Sequence, residues 1–206
     1  MQRHPVGLYD RYLALRLPPV EERPDHVALV ITERDLLEQG AYATLETFLE
    51  WAFEYGAEEV SLYVSVLDEA VVPTLERELA RVDAPQPVAV RGPEDTERAD
   101  APIRVSIGLG GKHEFANAVR SLAGEVAAGD LDPEEIDEAD VEANLVFPEP
   151  PDLVIKTGAE RLSDFMIWQS VYSELYFTDV NWRDVRRREY LRALIDFADR
   201  KRRFGR

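Results

Sequence analysis

Short apolar runs rich in β-branched residues recur along the chain, and longer segments with helical periodicity separate them. The clearest run is HVALVI at 26–31, and further runs lie at 59–66, 87–90, 102–108, 152–156 and 175–177. A strand that is buried on both faces has this composition. Strands that alternate with helices form a mostly parallel sheet covered on both faces. The sequence therefore predicts an α/β fold: a single domain with a mostly parallel central β-sheet flanked by helices.

The segments between these runs carry helical signals. Helices are predicted at 42–56, about 69–82, 113–129, from 132, from 163 to about 173, and from 184 to about 202. Asp132 is the predicted N-cap of its helix, with Pro133 at the first helical position. We expect one domain over 1–206, with an N-terminal helical extension at 1–24 and a C-terminal helix and tail at 184–206.

Composition excludes several classes of protein. The chain has no cysteine, which excludes disulfides and thiolate chemistry and favours a reducing cytoplasm. It shows neither a signal core nor a bilayer-spanning run. With 41 acidic and 24 basic residues, only three of them lysines, the net charge is −17. Such a surface suits a halophilic protein, because concentrated salt screens its self-repulsion. It also argues against a nucleic-acid partner.

One segment departs from this acidic balance. Residues 181–206 carry ten basic and four acidic side chains. A basic segment can bind anionic lipid headgroups. The sequence thus leaves open a peripheral association with the inner membrane surface.

The segment at 151–182, PDLVIKTGAERLSDFMIWQSVYSELYFTDVNW, carries the strongest chemical signal. Lys156, Arg161 and Ser163 fall within eight residues, at a strand end and the start of a predicted helix. Two charges, a hydroxyl and exposed backbone N–H groups can together hold a diphosphate. In the same segment Phe165, Trp168 and Tyr172 follow helical spacing and are predicted to pack in the core or in an interface.

This segment resembles the signature of the cis-prenyltransferases, the undecaprenyl or dehydrodolichyl diphosphate synthase family. HVALVI, the stretch GLGGKHEFANAVRSLA at 108–123 and the closing RRFG at 202–205 extend the resemblance. It implies that Lys156, in place of an arginine, together with Arg161 and Ser163 binds the diphosphate of isopentenyl diphosphate. Gly110 and Gly111 match the paired glycines of the family's diphosphate site.

The resemblance also implies a dimer. Arg203 and Gly205 match an Arg-x-Gly element that reaches across the dimer toward the partner's active site. Glu174 matches a glutamate that helps to position Mg²⁺ near the dimer interface. The partner is either a full-length cis-prenyltransferase or a second copy of this chain, and Mg²⁺ would act through the partner's site.

The chain departs from the family where catalysis is expected. Thr32 occupies the position of the aspartate that coordinates Mg²⁺, and Glu33 is the candidate substitute. A lone hydroxyl is a poor ligand for Mg²⁺. The segment that follows is too short for the family's phosphate loop, and the span 67–108, which in the family walls the product tunnel, is reduced.

These departures resemble the non-catalytic subunits of eukaryotic dehydrodolichyl diphosphate synthase. The resulting expectation is a pseudoenzyme subunit that supports polyprenyl diphosphate synthesis by a catalytic partner. Two alternatives stay open: an active short-chain Mg²⁺-dependent cis-prenyltransferase, and a non-enzymatic interaction or membrane-surface scaffold.

Overall fold

The computed structural model describes residues 7–95, 100–108, 110–147, 149–158 and 168–204. The strands are β1 (His26–Thr32), β2 (Glu59–Ser65), β3 (Val88–Arg91), β4 (Ile103–Ile107), β5 (Leu153–Thr157) and β6 (Glu174–Thr178). The helices are α1 (Leu8–Leu15), α2 (Glu33–Leu37), α3 (Ala41–Glu54), α4 (Val72–Leu79), α5 (Gly111–Ala128), α6 (Glu138–Ala143) and α7 (Arg187–Phe204). Short 3₁₀ turns cover Val20–Glu22, Glu69–Val71, Gln169–Tyr172 and Trp182–Asp184.

The six strands form one sheet in the order β3-β4-β2-β1-β5-β6. Every neighbouring pair is parallel, which confirms the predicted fold class. Strands β2, β3 and β4, which follow β1 in the sequence, lie on one side of β1 in the sheet. Strands β5 and β6 lie on its other side. The carboxyl ends of β1 and β5 therefore border the crevice where an open α/β sheet binds its ligands.

One face of the sheet, which we call the first face, carries the main hydrophobic core. Alternate strand residues such as Val27, Leu29 and Ile31 point into it, and α3, α4 and α7 cover it. Trp182 closes this core from the side: its ring lies 5.9 Å from that of Phe48, and its indole N–H donates to the Ala41 carbonyl at 3.1 Å. Burial of this apolar surface is the main stabilising contribution to the fold.

The other face, the second face, is smaller and more polar. Its apolar cluster contains Ala28, Val30, Tyr63, Val146, Phe147 and Val154. Glu114 of α5 fixes the covering segment, because its Oε1 accepts the backbone N–H groups of Val146 and Phe147, each at 3.0 Å. Lys156 lies on this face, in register with Val30 of β1.

Three predicted helix boundaries were wrong. The helix predicted from Asp132 begins at Glu138, because Asp137 caps it by accepting the N–H groups of Ala139 and Asp140. Asp132 instead accepts the N–H of Glu134 in a turn. The last helix begins at Arg187 rather than 184. Residues 169–172 form a 3₁₀ turn, so no α-helix extends to 173, while the start of that predicted helix lies outside the described residues.

Candidate functional site

The carboxyl edge of the sheet gathers part of the predicted site. Thr32 ends β1, Lys156 and Thr157 end β5, and Gly110 and Gly111 start α5 just after β4. Two glycines with left-handed backbone turn the chain away from the sheet here: Gly108 after β4 (φ +68°) and Gly158 after β5 (φ +71°). Glycine adopts this conformation without the strain that a side chain would add. The sheet thus presents Thr32 and Lys156 on adjacent strands.

Lys156 is buried on the second face, with only 6% of its surface exposed. Its neighbours in register are Val30 on β1 and Phe177 on β6, neither of which carries a charge. Within the described part of the chain, no hydrogen bond or ion pair reaches its ammonium group. Lys156 therefore places a largely buried cationic side chain at the end of β5, beside the crevice.

Thr32 is fully engaged in a helix cap. Its hydroxyl donates to Asp35 Oδ2 at 2.7 Å, and its backbone N–H donates to the same oxygen at 2.8 Å. The Asp35 N–H in turn donates to the Thr32 hydroxyl at 3.3 Å. This reciprocal pattern is a capping box, which satisfies the free N–H groups at the start of α2. The position expected to bind a metal therefore starts a short helix.

Glu33 is held as firmly as Thr32. Its side chain is buried, and its Oε2 accepts the backbone N–H groups of Leu67 at 2.7 Å and Asp68 at 3.2 Å. These contacts tie the end of β1 to the turn after β2. A carboxylate that accepts two N–H donors is a structural element of the β1–β2 edge.

The residues at the end of β1 do not fit Mg²⁺. Thr32 and Asp35 bond to each other, Glu33 bonds to backbone N–H groups, and the described residues contain no group of three or more acidic or histidine side chains arranged for a metal. Mg²⁺ requires an octahedral set of oxygen ligands. The residues at the end of β1 therefore do not form an Mg²⁺ site.

A shallow pocket of about 290 Å³ lies at the carboxyl ends of β2 and β4. Gly110 is among its lining residues, together with Tyr63, Ser65, Val66, Glu69, Pro93, Glu94, Gly108 and His113. The pocket borders β4, whereas Lys156 lies on β5. Strands β2 and β1 lie between them, so β4 and β5 are about 14 Å apart at the usual strand spacing. The paired glycines and Lys156 thus occupy different parts of the rim, and the two glutamates make the glycine part acidic.

Glu174 lies away from this edge in the same chain. It is the first residue of β6 and pairs in register with Leu153, three residues before the level of Lys156. Its carboxylate contacts Arg200 of α7 at 3.6 Å. Arg203 lies in α7, with its side chain outside the described atoms. Arg161, Ser163, Phe165 and Gly205 all lie outside the described residues.

The region between α3, α4 and the sheet is closed by the core. Leu45 and Phe48 of α3, Leu75 and Leu79 of α4, and Leu62 beneath them are between 0 and 2% exposed. Side chains this deeply buried line no space large enough for water. Helix α4 belongs to the span 67–108, and it packs directly on the first face.

A buried polar cluster occupies the opposite, amino edge of the second face. His26 Nε2 lies 2.8 Å from Ser61 Oγ. Arg104 is buried and pairs with Glu59 and Glu149. Burial, aided by the nearby Arg104 charge, lowers the pKa of His26 to about 4. This cluster lies at the end of the sheet away from the ligand crevice, so it contributes to the fold rather than to the site.

Comparison with known proteins gives the family. The family model described as putative undecaprenyl diphosphate synthase matches residues 86–205. A tritrans,polycis-undecaprenyl-diphosphate synthase (geranylgeranyl-diphosphate specific) of Thermococcus kodakarensis is 30% identical and covers 97% of this chain and 94% of its own. The chain therefore belongs to the undecaprenyl diphosphate synthase family, the cis-prenyltransferases.

Other relatives match over a shorter part of their length. The enzyme of the same name from Methanocaldococcus jannaschii is 47% identical over 109 residues, which is 50% of this chain and 39% of the relative. Matched segments of several such relatives span about two-fifths of the relatives' length. The Thermococcus alignment runs over 248 positions, more than the 206 residues of this chain. That relative therefore has residues with no counterpart here.

Solved structures support the fold. Lavandulyl diphosphate synthase from Lavandula x intermedia, in complex with dimethylallyl diphosphate, superposes with a TM-score of 0.70 at 23% identity. It covers 86% of this chain and 96% of its own. None of the described helices is long and apolar enough to cross a membrane.

Sequence reasoning missed the part that Asp35 plays. The pattern TERD is a Thr-x-x-Asp capping signature, which could have predicted α2. The partners of Glu33 carried no such signal, because they are backbone groups 34 and 35 residues further along the chain.

Proposed function

We propose that this chain is a cis-prenyltransferase subunit that is inactive alone and completes the active site of a full-length homologue. The observation that carries the proposal is the end of β1. There the metal-ligand position is a helix cap, and the adjacent carboxylate is occupied by two backbone N–H groups. The chain therefore does not hold its own Mg²⁺, and the metal acts in the partner's site.

The closed first face supports the same conclusion. A long polyprenyl product needs a hydrophobic tunnel beside the sheet. Here Phe48, Leu62 and Leu75 fill that space and are at most 2% exposed. A product chain would have to displace core side chains, and a closely packed core resists this.

The β5 side of the crevice supports a remaining binding role. Lys156 is buried and has no counter-charge within the described residues. A diphosphate would supply that charge, and isopentenyl diphosphate carries such a group. We infer that this half of the site retains affinity for the homoallylic substrate, with Arg161 and Ser163 as further ligands.

An exposed apolar surface supports dimer formation. The surface comprises Phe115, Val119, Val171, Tyr172 and Phe177, which are between 39 and 91% exposed. The Phe115 ring stacks on the Trp168 ring with centroids 5.9 Å apart, so α5 contacts the start of the 168–172 segment. Exposed apolar surface of this kind is typical of a protein–protein interface. The partner is either the full-length homologue or a second copy.

The test is incorporation of labelled isopentenyl diphosphate onto an allylic diphosphate primer, in high salt with Mg²⁺. The protein is assayed alone and then mixed with the full-length cis-prenyltransferase of the same organism. We expect no turnover alone and a gain over the homologue's own activity in the mixture. Arg203→Ala should abolish the gain, whereas Arg202→Ala, an adjacent cation in the same helix, should leave it intact.

Two results would contradict the proposal, and a third would contradict the role assigned to Arg203. Polyprenyl diphosphate made by the protein alone would identify an active short-chain enzyme. A mixture with no gain and no complex in light scattering would leave the chain as a scaffold without a catalytic partner. Loss of the gain in both arginine variants would assign the effect to general positive charge.

A further inference from the structure

Arg200 joins the C-terminal part of α7 to the start of β6. Its Nη1 donates to the Leu175 carbonyl at 3.0 Å, and its Nη2 lies 2.8 Å from Asp196 Oδ2, one turn earlier in the helix. Nη1 also lies 3.6 Å from Glu174 Oε2. The guanidinium can serve several acceptors at once, because its donors are fixed in a planar fork. Arg200 therefore ties the helix to one end of the strand.

The Leu175 carbonyl points to the open edge of the sheet. β6 pairs with β5 alone, and the Glu174 N–H donates to the Asp152 carbonyl at 2.9 Å, toward β5. Successive residues of a strand direct their backbone groups to opposite sides, so those of Leu175 face away from β5. An edge carbonyl has no strand partner, and Arg200 supplies its donor.

The core contacts of α7 stop just before this residue. Phe197 and Ala198 are buried, with 5 and 3% of their surface exposed, and Asp199 is exposed. Among the described side chains of α7, Arg200 therefore makes the last contact with the sheet. The helix continues to Phe204. A helix end without tertiary contacts frays, so a tie at this point decides whether the last turn is ordered.

We propose that Arg200 is a positioning residue, which orders the last turn of α7 and thereby places Arg203 for the active site of the partner. Arg203 follows Arg200 by about one helical turn. The inference rests on the proposed function for the role of Arg203, and it adds the group that holds this arginine in place. The carboxylates of Glu174 and Asp196 are 33 and 40% exposed, so their ion pairs contribute little. The bond to the backbone carbonyl sets the geometry.

A spin label tests the order of the last turn in this chain alone. The sequence has no cysteine, so Arg202→Cys provides a single attachment site in that turn. We expect an immobilised electron paramagnetic resonance spectrum in this background and a mobile one when Arg200→Gln is added. Arg200→Lys keeps a charge and a donor, so it should restore most of the immobilised component.

The matched control is Arg188→Gln, the same change in the same helix. The Arg188 guanidinium contacts Glu189 of α7 at 2.8 Å rather than the sheet. This variant should leave the spectrum unchanged. The thermal midpoint and light scattering show whether each variant keeps its fold and its complex with the full-length homologue.

Activity without the label tests whether Arg200 acts through Arg203. In the mixture with the homologue, Arg200→Gln should reduce the gain in kcat about tenfold, because a displaced group loses its alignment with the reacting atoms. Arg200→Gln/Arg203→Ala should lose no more than Arg203→Ala, since the two residues would act as one unit.

The inference is overturned if Arg200→Gln leaves the label immobilised, or if Arg188→Gln releases it equally. It is also overturned if the double variant loses clearly more than Arg203→Ala, or if both Arg200 variants unfold the domain or dissociate the complex. A wild-type mixture without any gain would contradict the proposed function, and with it the role of Arg203. The label spectra would then still decide whether Arg200 orders the end of α7.

Discussion

Replacement of Glu33 by alanine tests whether this carboxylate is a structural group or a metal ligand. In the structure it is buried and accepts the N–H groups of Leu67 and Asp68. The alanine variant removes the shared acceptor, Glu33 Oε2, and leaves the two N–H donors at the β2 turn without a protein partner. The glutamine variant keeps an acceptor oxygen and removes only the charge.

The magnitude follows from these contacts. A hydrogen bond to a charged group contributes about 1.5 to 3 kcal/mol. Leu67 is largely exposed, so water reaches the freed donors and the lower end of that range applies. Glu33→Ala should therefore cost about 3 kcal/mol, and Glu33→Gln about 1 kcal/mol. For a chain of this length, 1 kcal/mol lowers the thermal midpoint by about 3 °C, so we expect decreases of about 9 and 3 °C.

The assay is thermal unfolding followed by circular dichroism, with and without Mg²⁺. Glu38→Ala is the matched control, because Glu38 is exposed and its pair with Arg183 at 3.4 Å contributes little. The reasoning would be refuted if Glu33→Ala behaved like Glu38→Ala. It would also fail if Mg²⁺ raised the midpoint of the wild type and Glu33→Ala removed that rise, since Glu33 would then bind the metal.

Three further substitutions test other parts of the structure. Burial lowers the pKa of His26 to about 4, so the unfolded chain binds the proton at a higher pH than the folded chain does. As the pH falls from 6.5 to 4, the free energy of unfolding should fall by about 3 kcal/mol more in the wild type than in His26→Gln. Denaturant titrations at the two pH values measure this difference. Lys156→Met should leave the thermal midpoint equal or higher while weakening inorganic pyrophosphate binding in calorimetry, and a large destabilisation would show a structural contact instead. Trp182→Ala should cost about 3 to 5 kcal/mol in denaturant unfolding, because it removes a buried ring and an N–H donor, whereas Trp182→Phe should cost clearly less.

The architecture was predictable because its signals are local. Apolar runs such as 26–31 match observed strands within a residue or two, and alternation with helices predicts the parallel sheet. The strand order has no such local signal. It depends on which strand ends become neighbours after the chain crosses the sheet from β4 to β5.

The helix predicted from Asp132 shows how local signals also compete. Asp132 and Asp137 both precede helix-forming residues, and the sequence gives each the features of an N-cap. Asp137 Oδ1 accepts the N–H groups of Ala139 and Asp140, and the Asp140 carboxylate in turn accepts the backbone N–H of Asp137. Asp132 accepts one N–H within a turn. The site with more satisfied donors starts the helix.

The site was only partly predictable, because burial and long-range contacts decide what each side chain does. The sequence places Thr32 where the resemblance implies an aspartate. The role of Glu33 could not be predicted, because β1 ends at Thr32 and the chain turns into α2, where the Glu33 carboxylate reaches the N–H groups of Leu67 and Asp68. The sequence predicted that Tyr172 packs either in the core or in an interface. Tyr172 is 91% exposed, so it does not pack in the core.

The two sides of the crevice differ in how their polar side chains are paired. On the β1 side, Thr32 and Glu33 satisfy backbone N–H groups, so these polar residues stabilise the fold. On the β5 side, Lys156 is a largely buried cation, and none of the described residues pairs with it. An anion bound at the end of β5 would pair with the Lys156 ammonium. Ligand binding should therefore be sought first at Lys156, and an anion that binds there should raise the thermal midpoint of the wild type more than that of Lys156→Met.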